Sequence, residues 1–333
     1  MGSFMRLFGQ TAGGRDVHAI DIQTDQLKAT VLTYGAILND LRLNGMDYSL
    51  TLGSPDIAAY EGPLASFGSL IGPVANRIRD AKAMIAGREY AFEANFQGKH
   101  TLHSGADGTH CQVWEVEDQS STSVTLTLRL PDGLSGFPGN RWCRAIYRVE
   151  GASLSLEVTA ETDAPTLLSF ANHSYWALDP TPGFADHVLT IPAGRYLKSS
   201  ADLMPTGELT HVAGSAYDAR KGLTLAGDDS QFFDLNYCFC EGDRAMQEVA
   251  RLRGKSGVEL RMDTTAPGLQ VYDCGTIDGT GFATHHGREY GHYAGVALEA
   301  QRWPGATSHP AFPRIEFGPG ERYHQLTRWS FSA

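Results

Sequence analysis

Residues 123–130 read SVTLTLRL, and every second residue from Val124 onward is apolar, whereas serine, threonine or arginine stands between them. A period of two is typical of a β-strand that buries one face and exposes the other. The segments SLSLEVTA (153–160) and GVELRM (257–262) repeat the pattern. Because no strand–helix–strand alternation accompanies these runs, they predict an all-β fold, a large antiparallel β-sandwich or barrel.

The residues between such runs predict short connections. Residues 56–62, DIAAYEG, follow Pro55 and predict one or two turns of helix. The 37 glycines and 15 prolines are spread evenly, without a linker-like change in composition. We therefore expect residues 1–333 to form a single domain. Three dipeptides predict hairpin turns: Asn44-Gly45, Ala86-Gly87 and Asp132-Gly133.

The composition disfavours several classes of partner. The chain has 27 basic and 38 acidic residues, a net charge of −11, which disfavours nucleic acid and anionic membranes as partners and suits a neutral ligand. Five cysteines without a CxxC pair favour a reducing cytoplasm over a disulfide scaffold. We recognise neither a signal peptide nor a run long enough to span a membrane. The prediction is a cytoplasmic protein.

Glu299 interrupts an apolar strand. Residues 296–298 are Val, Ala and Leu, and the acid follows directly. Desolvating a carboxylate is costly unless it is hydrogen-bonded or used in chemistry, so Glu299 is a candidate catalytic group. The alternative is an acid at a strand edge that pairs with Arg302 or another basic residue at the surface.

Two histidines are candidates of the same kind. His173 stands in NHSYW after an apolar run, and His103 stands in HTLHSG. Either could instead be a hydrogen-bonded, half-buried residue. A zinc site at His100 and His103 is disfavoured, because the flanking glycines indicate a loop. Three further histidines are expected to be surface residues rather than metal ligands: His285, His286 and His292.

The segment ANRIRD carries Asn76 and Arg77, and QFFDLNYCF carries Asp234. Fixed donor and acceptor geometry suits such side chains to hydroxyl recognition. Alternatively, Arg77 could tie down a loop and Asp234 could cap a turn.

Taken together, these segments carry a family resemblance. GPVANRI, HTLHSG, NHSYW, PTGE, FFDLNY, GLQVYDCG and LEAQRWPGATSHPAFP follow one another in the order seen in aldose 1-epimerases, the galactose mutarotases. The chain is similar to this family from about Leu32 to its C-terminus. The resemblance implies a galactose mutarotase-like supersandwich that acts on a monosaccharide without a cofactor or metal.

The same resemblance implies roles for individual residues. Glu299 would be the catalytic base, His173 the general acid and His103 a second histidine at the sugar ring. The substrate-binding residues would be Arg77 with its neighbour Asn76, Asp234 and Gln270. The chain departs from the family pattern at Pro73, Ser104, Trp176 and Ala300. Trp176 and Arg302 could alter the pocket wall, and whether Trp176 or Trp303 stacks on a sugar or lies in the core stays open.

Interconversion of sugar anomers needs only a base and an acid, which suits a carboxylate near an imidazolium. Three alternatives stay open. A glycoside hydrolase would need a second carboxylate such as Asp234 close to Glu299. A non-catalytic sugar-binding protein would not need Glu299 together with His173, and an epimerase of hexose phosphates would need extra basic residues. The preferred aldose stays open, as does the choice between monomer and homodimer.

Overall fold

The computed structural model describes residues 5–333, and nearly all of its regular structure is β-strand. The first fourteen strands are β1 (Met5–Gln10), β2 (Asp16–Gln23), β3 (Leu27–Leu32), β4 (Leu38–Leu43), β5 (Leu70–Ile71), β6 (Arg77–Ile78), β7 (Lys82–Ile85), β8 (Arg88–Ala91), β9 (Thr101–Leu102), β10 (Glu115–Gln119), β11 (Ser123–Leu130), β12 (Arg141–Glu150), β13 (Ser153–Thr162) and β14 (Thr166–Leu167). The remaining strands are β15 (Ala171–Asn172), β16 (Tyr175–Trp176), β17 (Val188–Thr190), β18 (Arg195–Ser199), β19 (Pro205–His211), β20 (Leu223–Thr224), β21 (Asp234–Cys238), β22 (Gln247–Arg253), β23 (Glu259–Thr264), β24 (Gly268–Tyr272), β25 (Val296–Gln301), β26 (Glu316–Phe317) and β27 (Tyr323–Ser332).

Helical structure within these residues is short. The α-helix α1 (Ile57–Tyr60) lies inside the predicted segment 56–62, and the Asp56 side chain caps it by accepting from the backbone N–H of Ala58. The remaining helical turns are of the 3-10 type: Arg79–Ala81, Thr109–Cys111 and Leu134–Gly136.

Three antiparallel sheets dominate the described residues. One has nine strands in the order β10-β11-β12-β13-β27-β23-β22-β17-β20, one has six in the order β16-β25-β24-β21-β18-β19, and one has four in the order β1-β2-β3-β4. The predicted strands are β11, β13 and β23, all in the nine-stranded sheet. The prediction of an all-β antiparallel sandwich is confirmed.

The hairpin predictions had mixed outcomes. Ala86 and Gly87 join β7 to β8 with φ of 48° and 79°, the left-handed backbone that a two-residue hairpin turn needs. Asp132 and Gly133 lie instead in a longer connection from β11 to β12 that includes a 3-10 turn. Asn44-Gly45 forms a turn after β4, but β4 pairs only with β3, so the prediction of a hairpin there was wrong.

The six-stranded sheet has two chemically different faces. In β25, Val296, Leu298 and Ala300 belong to the largest apolar core, which they share with residues of the nine-stranded sheet such as Trp329. Each fully buried aliphatic side chain of this kind stabilises the fold by roughly 1.5–3 kcal/mol. Glu299 lies between them in the strand and therefore points to the opposite face. The packing that holds the sheets together thus also decides where Glu299 points.

No helix among residues 5–333 combines the length and apolar character needed to cross a membrane. The five cysteines, all within this range, are free thiols. The single-domain organisation of residues 1–333 stays a prediction.

Candidate active site

A cavity of about 450 Å³ opens over the polar face of the six-stranded sheet. Its base is formed by side chains of β25 and β21, and its walls come from loops that follow β9, β15 and β24. The lining residues are Ser66, Asn76, Arg77, Phe96, Gln97, Leu102, His103, His173, Tyr175, Leu203, Phe232, Asp234, Tyr272, Thr276, Ile277 and Glu299.

Glu299 and His173 meet at the bottom of this cavity. Nε2 of His173 lies 3.4 Å from Oε1 of Glu299, and each side chain is only about 5% exposed or less. The backbone of His173 is held on both sides, because its N–H donates to the carbonyl of Ser69 and its carbonyl accepts from Gly68. Within the described residues, Oε2 of Glu299 and Nδ1 of His173 are buried without a hydrogen-bond partner. The pair therefore contains two buried polar atoms whose hydrogen-bonding capacity is unused.

Burial shifts both groups toward their neutral forms. It raises the pKa of Glu299 to about 8, with a further contribution from the charge of Asp234 and opposition from Arg77. It lowers the pKa of His173 to about 4. The charge distribution expected from the sequence, a carboxylate beside an imidazolium, is therefore not the one that burial favours. Between these values the pair holds one proton.

His103 presents a defined ring nitrogen. It follows β9 in a left-handed conformation, with φ of 53°, and its Nδ1 accepts from the backbone N–H of Asn76 at 3.2 Å. Because burial and the neighbouring His173 lower its pKa well below the usual range, the ring is neutral and its proton lies on Nε2. Its ring centroid lies 5.4 Å from that of His173. His103 is thus a neutral hydrogen-bond donor beside the Glu299–His173 pair.

Arg77 is fixed from several directions. Its Nη2 donates to Oδ2 of Asp234 at 3.1 Å, and Phe96 covers the guanidinium with 4.6 Å between Cζ and the ring centroid. Oδ1 of Asn76 accepts from the backbone N–H of Arg77 at 3.0 Å and lies 3.4 Å from its Nη1. The other Asp234 oxygen accepts from Nε2 of Gln270 at 2.6 Å. These contacts hold a guanidinium and a carboxylate side by side at the cavity.

Six of the seven predicted site residues line one cavity, and the seventh lies behind its wall. The six are Asn76, Arg77, His103, His173, Asp234 and Glu299, and the seventh is Gln270, which supports Asp234. The alternative that Glu299 pairs with Arg302 was wrong, because Arg302 binds the Asp243 carboxylate and the carbonyl of Arg314.

The sequence left open whether Trp176 and Trp303 stack on a sugar or lie in the core, and both lie in the core. Trp176 and Trp303 are both buried in apolar clusters, so neither they nor Arg302 alter the wall. Tyr175 and Tyr272 line the cavity instead, together with two loop residues, Phe96 and Phe232. The period of two could have identified Tyr272, which shares a face of β24 with Gln270. The loop residues follow no such pattern.

The other histidines that the sequence singled out do not line this cavity. Nδ1 of the fully buried His100 accepts from the backbone N–H of Asp80, and its Nε2 lies 3.3 Å from Asp202. His285 and His286 are half-buried and contact Asn39 and the carbonyl of Ser49, so the surface assignment was wrong for these two; His292 is exposed as expected. Within residues 5–333, no group of three or more candidate ligands is arranged to hold a metal ion.

Fold and cavity define an all-β protein with a buried acid–base pair at an open site. The family model for aldose 1-epimerase matches residues 18–330. The chain is 32% identical to galactose mutarotase from Bos taurus, over 96% of this chain and 95% of the relative, and 30% identical to aldose 1-epimerase from Escherichia coli K12, over 91% and 92%. The crystal structure of a GalM/aldose epimerase homologue from C. elegans superposes with a TM-score of 0.87 at 28% identity, covering 94% of this chain and 98% of that one. The chain belongs to the aldose 1-epimerase family, which confirms the resemblance seen in its motifs.

The raised pKa of Glu299 predicts a measurable effect on stability. Its pKa is about 8 when folded and ordinarily 4.5, so between these values the folded chain keeps a proton that the unfolded chain loses. From pH 6.5 to pH 8 this group should therefore lower the free energy of unfolding by roughly 2 kcal/mol. The lowered pKa of His173 acts in the opposite sense, mostly below pH 6.5, and it is present in both the wild type and the Glu299→Gln variant.

Glu299→Gln replaces the carboxyl with a neutral group of the same shape and removes this dependence. Urea unfolding of both proteins at pH 6.5 and pH 8 should show the wild type losing about 2 kcal/mol relative to the variant. An equal difference at the two pH values would mean that folded Glu299 is already ionised at pH 6.5.

Proposed function

We propose that the protein is an aldose 1-epimerase that interconverts the α- and β-anomers of a free aldose, such as galactose or glucose, by general acid–base catalysis. The observation that carries the proposal is the 3.4 Å approach of Glu299 and His173 at the cavity floor. The two oxygens that must lose and gain a proton, O1 and the ring oxygen O5, are attached to the same carbon. A base and an acid placed this close together can reach both oxygens from one side.

The reaction proceeds in two symmetric halves. Glu299 removes the proton from the C1 hydroxyl while His173 donates a proton to O5, and the C1–O5 bond breaks to give the open-chain aldehyde. Rotation about C1–C2 presents the other face of the carbonyl, and closure returns both protons. No hydride moves and no covalent intermediate forms, so the catalysis comes from proton transfer. Each positioned proton transfer accelerates the reaction by about 10²–10⁴-fold.

This mechanism uses the charged form of the pair, which burial disfavours. Moving the shared proton from Glu299 to His173 converts two neutral groups into a carboxylate and an imidazolium. The net charge of the pair, and that of the cavity, stays the same. Hydrogen bonds donated by the hydroxyls of a bound sugar to the Glu299 carboxyl group favour its ionised form. Substrate binding thereby favours the ionised carboxylate at the moment it is needed.

The remaining residues orient the sugar. His103 donates from Nε2 to a ring or hydroxyl oxygen, and Arg77 and Asp234 bind hydroxyls through a donor and an acceptor held 3.1 Å apart. Asn76 shapes this corner by holding His103 and Arg77. Gln270 acts in substrate binding through its hydrogen bond to Asp234.

The alternatives fit the cavity less well. A hexose phosphate would need spare positive charge, yet Arg77 is the only lysine or arginine lining this cavity among residues 5–333, and it is paired with Asp234. A hydrolase would need Asp234 as its second carboxylate, but both Asp234 oxygens already accept from Arg77 and Gln270. A binding protein would gain nothing from desolvating Glu299 beside His173.

We extend the proposal to the setting of the reaction. The protein acts in the cytoplasm as a monomer or homodimer formed of single-domain chains, without a cofactor and without nucleic acid or membrane partners. The net charge of −11 and the five free thiols support this setting.

Polarimetry tests the activity directly. Freshly dissolved α-galactose or α-glucose should reach its equilibrium rotation faster in the presence of the protein, and Glu299→Gln should lower kcat by about 10²–10⁴-fold because the base is gone. Glu208→Gln is the matched control, since Glu208 is an exposed acid paired with Lys198. Failure to accelerate the mutarotation of any free aldose would contradict the proposal.

The pH dependence should be bell-shaped. Activity requires one proton on the pair, so kcat/KM should fall below about pH 4, where both groups are protonated, and above about pH 8, where neither is. Initial rates of mutarotation across pH 3–10, corrected for the uncatalysed reaction, measure this. An alkaline limb that survives in a variant lacking the carboxyl, Glu299→Gln, would assign that limb to another group.

Phe96 should affect substrate binding through Arg77. Phe96→Leu removes the aromatic face over the guanidinium, an interaction of roughly 0.5–2 kcal/mol, and should raise KM about 2- to 30-fold with a smaller change in kcat. Phe96→Tyr keeps the face and should restore KM. Tyr90→Leu is the matched control, because it removes a similar contact with Arg88 on the β7–β8 hairpin. Equal kinetics for Phe96→Leu and Tyr90→Leu would exclude this role.

A further inference from the structure

A second groove lies on the outer face of the nine-stranded sheet. Its volume is about 520 Å³, similar to that of the catalytic cavity, and the two share no lining residue. Its floor is formed by β11, β12 and β13, and one wall by the segment that leads into β10. Its lining includes one tryptophan and several charged side chains: Trp142, Arg15, Arg129, Arg144, Arg322, Glu115 and Glu161.

An exposed indole lies in the floor of this groove. Trp142 is 46% exposed, whereas the other four tryptophans are 2% exposed or less. In register it stands between Arg129 of β11 and Glu161 of β13, so these three side chains share one face. Cζ of Arg129 lies 6.0 Å from the indole centroid. The flat indole of Trp142 thus has a hydrogen-bond donor, the Arg129 guanidinium, on one side and an acceptor, the Glu161 carboxylate, on the other.

The groove is positively charged in a protein that is otherwise acidic. Four arginines line it against two glutamates, Glu115 and Glu161, while the whole chain carries −11. Arg144 pairs with Glu117 at 2.6 Å, and Arg322 lies 3.7 Å from Glu161.

The other two arginines have only neutral acceptors. Arg15 donates to the carbonyl of Val113 and Arg129 to the side-chain oxygen of Asn140, and within residues 5–333 neither has a carboxylate at ion-pair distance. Neither guanidinium is therefore bound directly to a carboxylate where it lines the groove, although the charge of Asp163 lies close enough to interact with Arg129.

We infer that this groove binds a monosaccharide carrying an anionic group, a phosphate or a carboxylate. The apolar face of a pyranose packs on the Trp142 indole, as a flat CH-rich surface does on an aromatic ring. Arg129 and Arg15 bind the anion through charge-assisted hydrogen bonds, and Glu161 accepts from a hydroxyl. The volume suits one sugar unit. This site takes the charged sugars that the catalytic cavity, with its paired Arg77, does not.

The exposed tryptophan provides a local readout. Acrylamide, a neutral quencher, should quench mainly Trp142 in the intact protein, and a bound sugar should protect it. We expect glucose 6-phosphate or glucuronate to protect the indole at millimolar concentration or below, and their comparison distinguishes phosphate from carboxylate. Inorganic phosphate and glucose should each require at least tenfold higher concentration.

Variants assign the binding to the groove. Arg129→Gln should lower the affinity for the anionic sugar at least tenfold. Arg220→Gln, at an exposed arginine paired with Asp218, is the control and should leave the affinity unchanged. Trp142→Phe should retain binding when it is followed by calorimetry. In the Glu299→Gln variant, the anionic sugar should protect Trp142 from acrylamide as well as it does in the wild type. The test of the groove is therefore independent of whether the protein has mutarotase activity.

Four outcomes would overturn the inference. They are no protection by either anionic sugar, equal protection by inorganic phosphate, equal protection by glucose, and equal affinity in Arg129→Gln. As a control for folding, the midpoint temperature of thermal unfolding should be the same for Arg129→Gln and the wild type. A loss of affinity in this variant then reflects the missing guanidinium and not a loss of structure.

Discussion

The two-residue alternation of β25 is the constraint on which both core and site depend. Val296, Leu298 and Ala300 face the nine-stranded sheet and join the largest apolar cluster, so the residue between the last two must face away from it. That residue is Glu299. The neighbouring strand β24 repeats the arrangement, with Leu269 and Val271 in the core and Gln270 directly opposite Glu299 in register. Burial of the alternate apolar residues in β24 and β25 thus determines the direction in which the Glu299 carboxyl group points.

Burial then determines the electrostatics of the cavity. Removing water raises the pKa of Glu299 and lowers that of His173, so the two groups hold one proton between them over a wide pH range. Asp234 and Arg77 stand nearby with opposite charges and opposite effects on the pKa of Glu299. Because Arg77 and Asp234 neutralise one another, the cavity as a whole stays close to neutral, as suits an uncharged ligand.

The sequence predicted those parts of the molecule that follow a short period or an ordered motif. The strand pattern from Val124 onward and the Ala86-Gly87 turn needed only local rules, and the ordered motifs brought together Glu299, His173, His103, Arg77 and Asp234. Predictions from local sequence failed where strand pairing or burial depends on residues that are far away in the chain. Asn44-Gly45 turns the chain, but no strand follows to pair with β4, and the half-buried state of His286 depends on Ser49, far away in sequence. Phe96 and Phe232 reach the cavity on loops whose positions no periodicity encodes.

The opposite faces of Tyr175 and Trp176 show what a change of register would do. Tyr175 lies opposite Ala297 and lines the cavity, whereas Trp176 lies opposite Val296 and is buried in the core. If β25 slipped by one residue during folding, Glu299 would enter the apolar layer and Leu298 would enter the cavity. Burying a carboxylate among apolar side chains without a partner costs free energy, so the shifted pairing is less stable than the native one. The group proposed as the catalytic base therefore also favours the native alignment of β25 over one shifted by a residue.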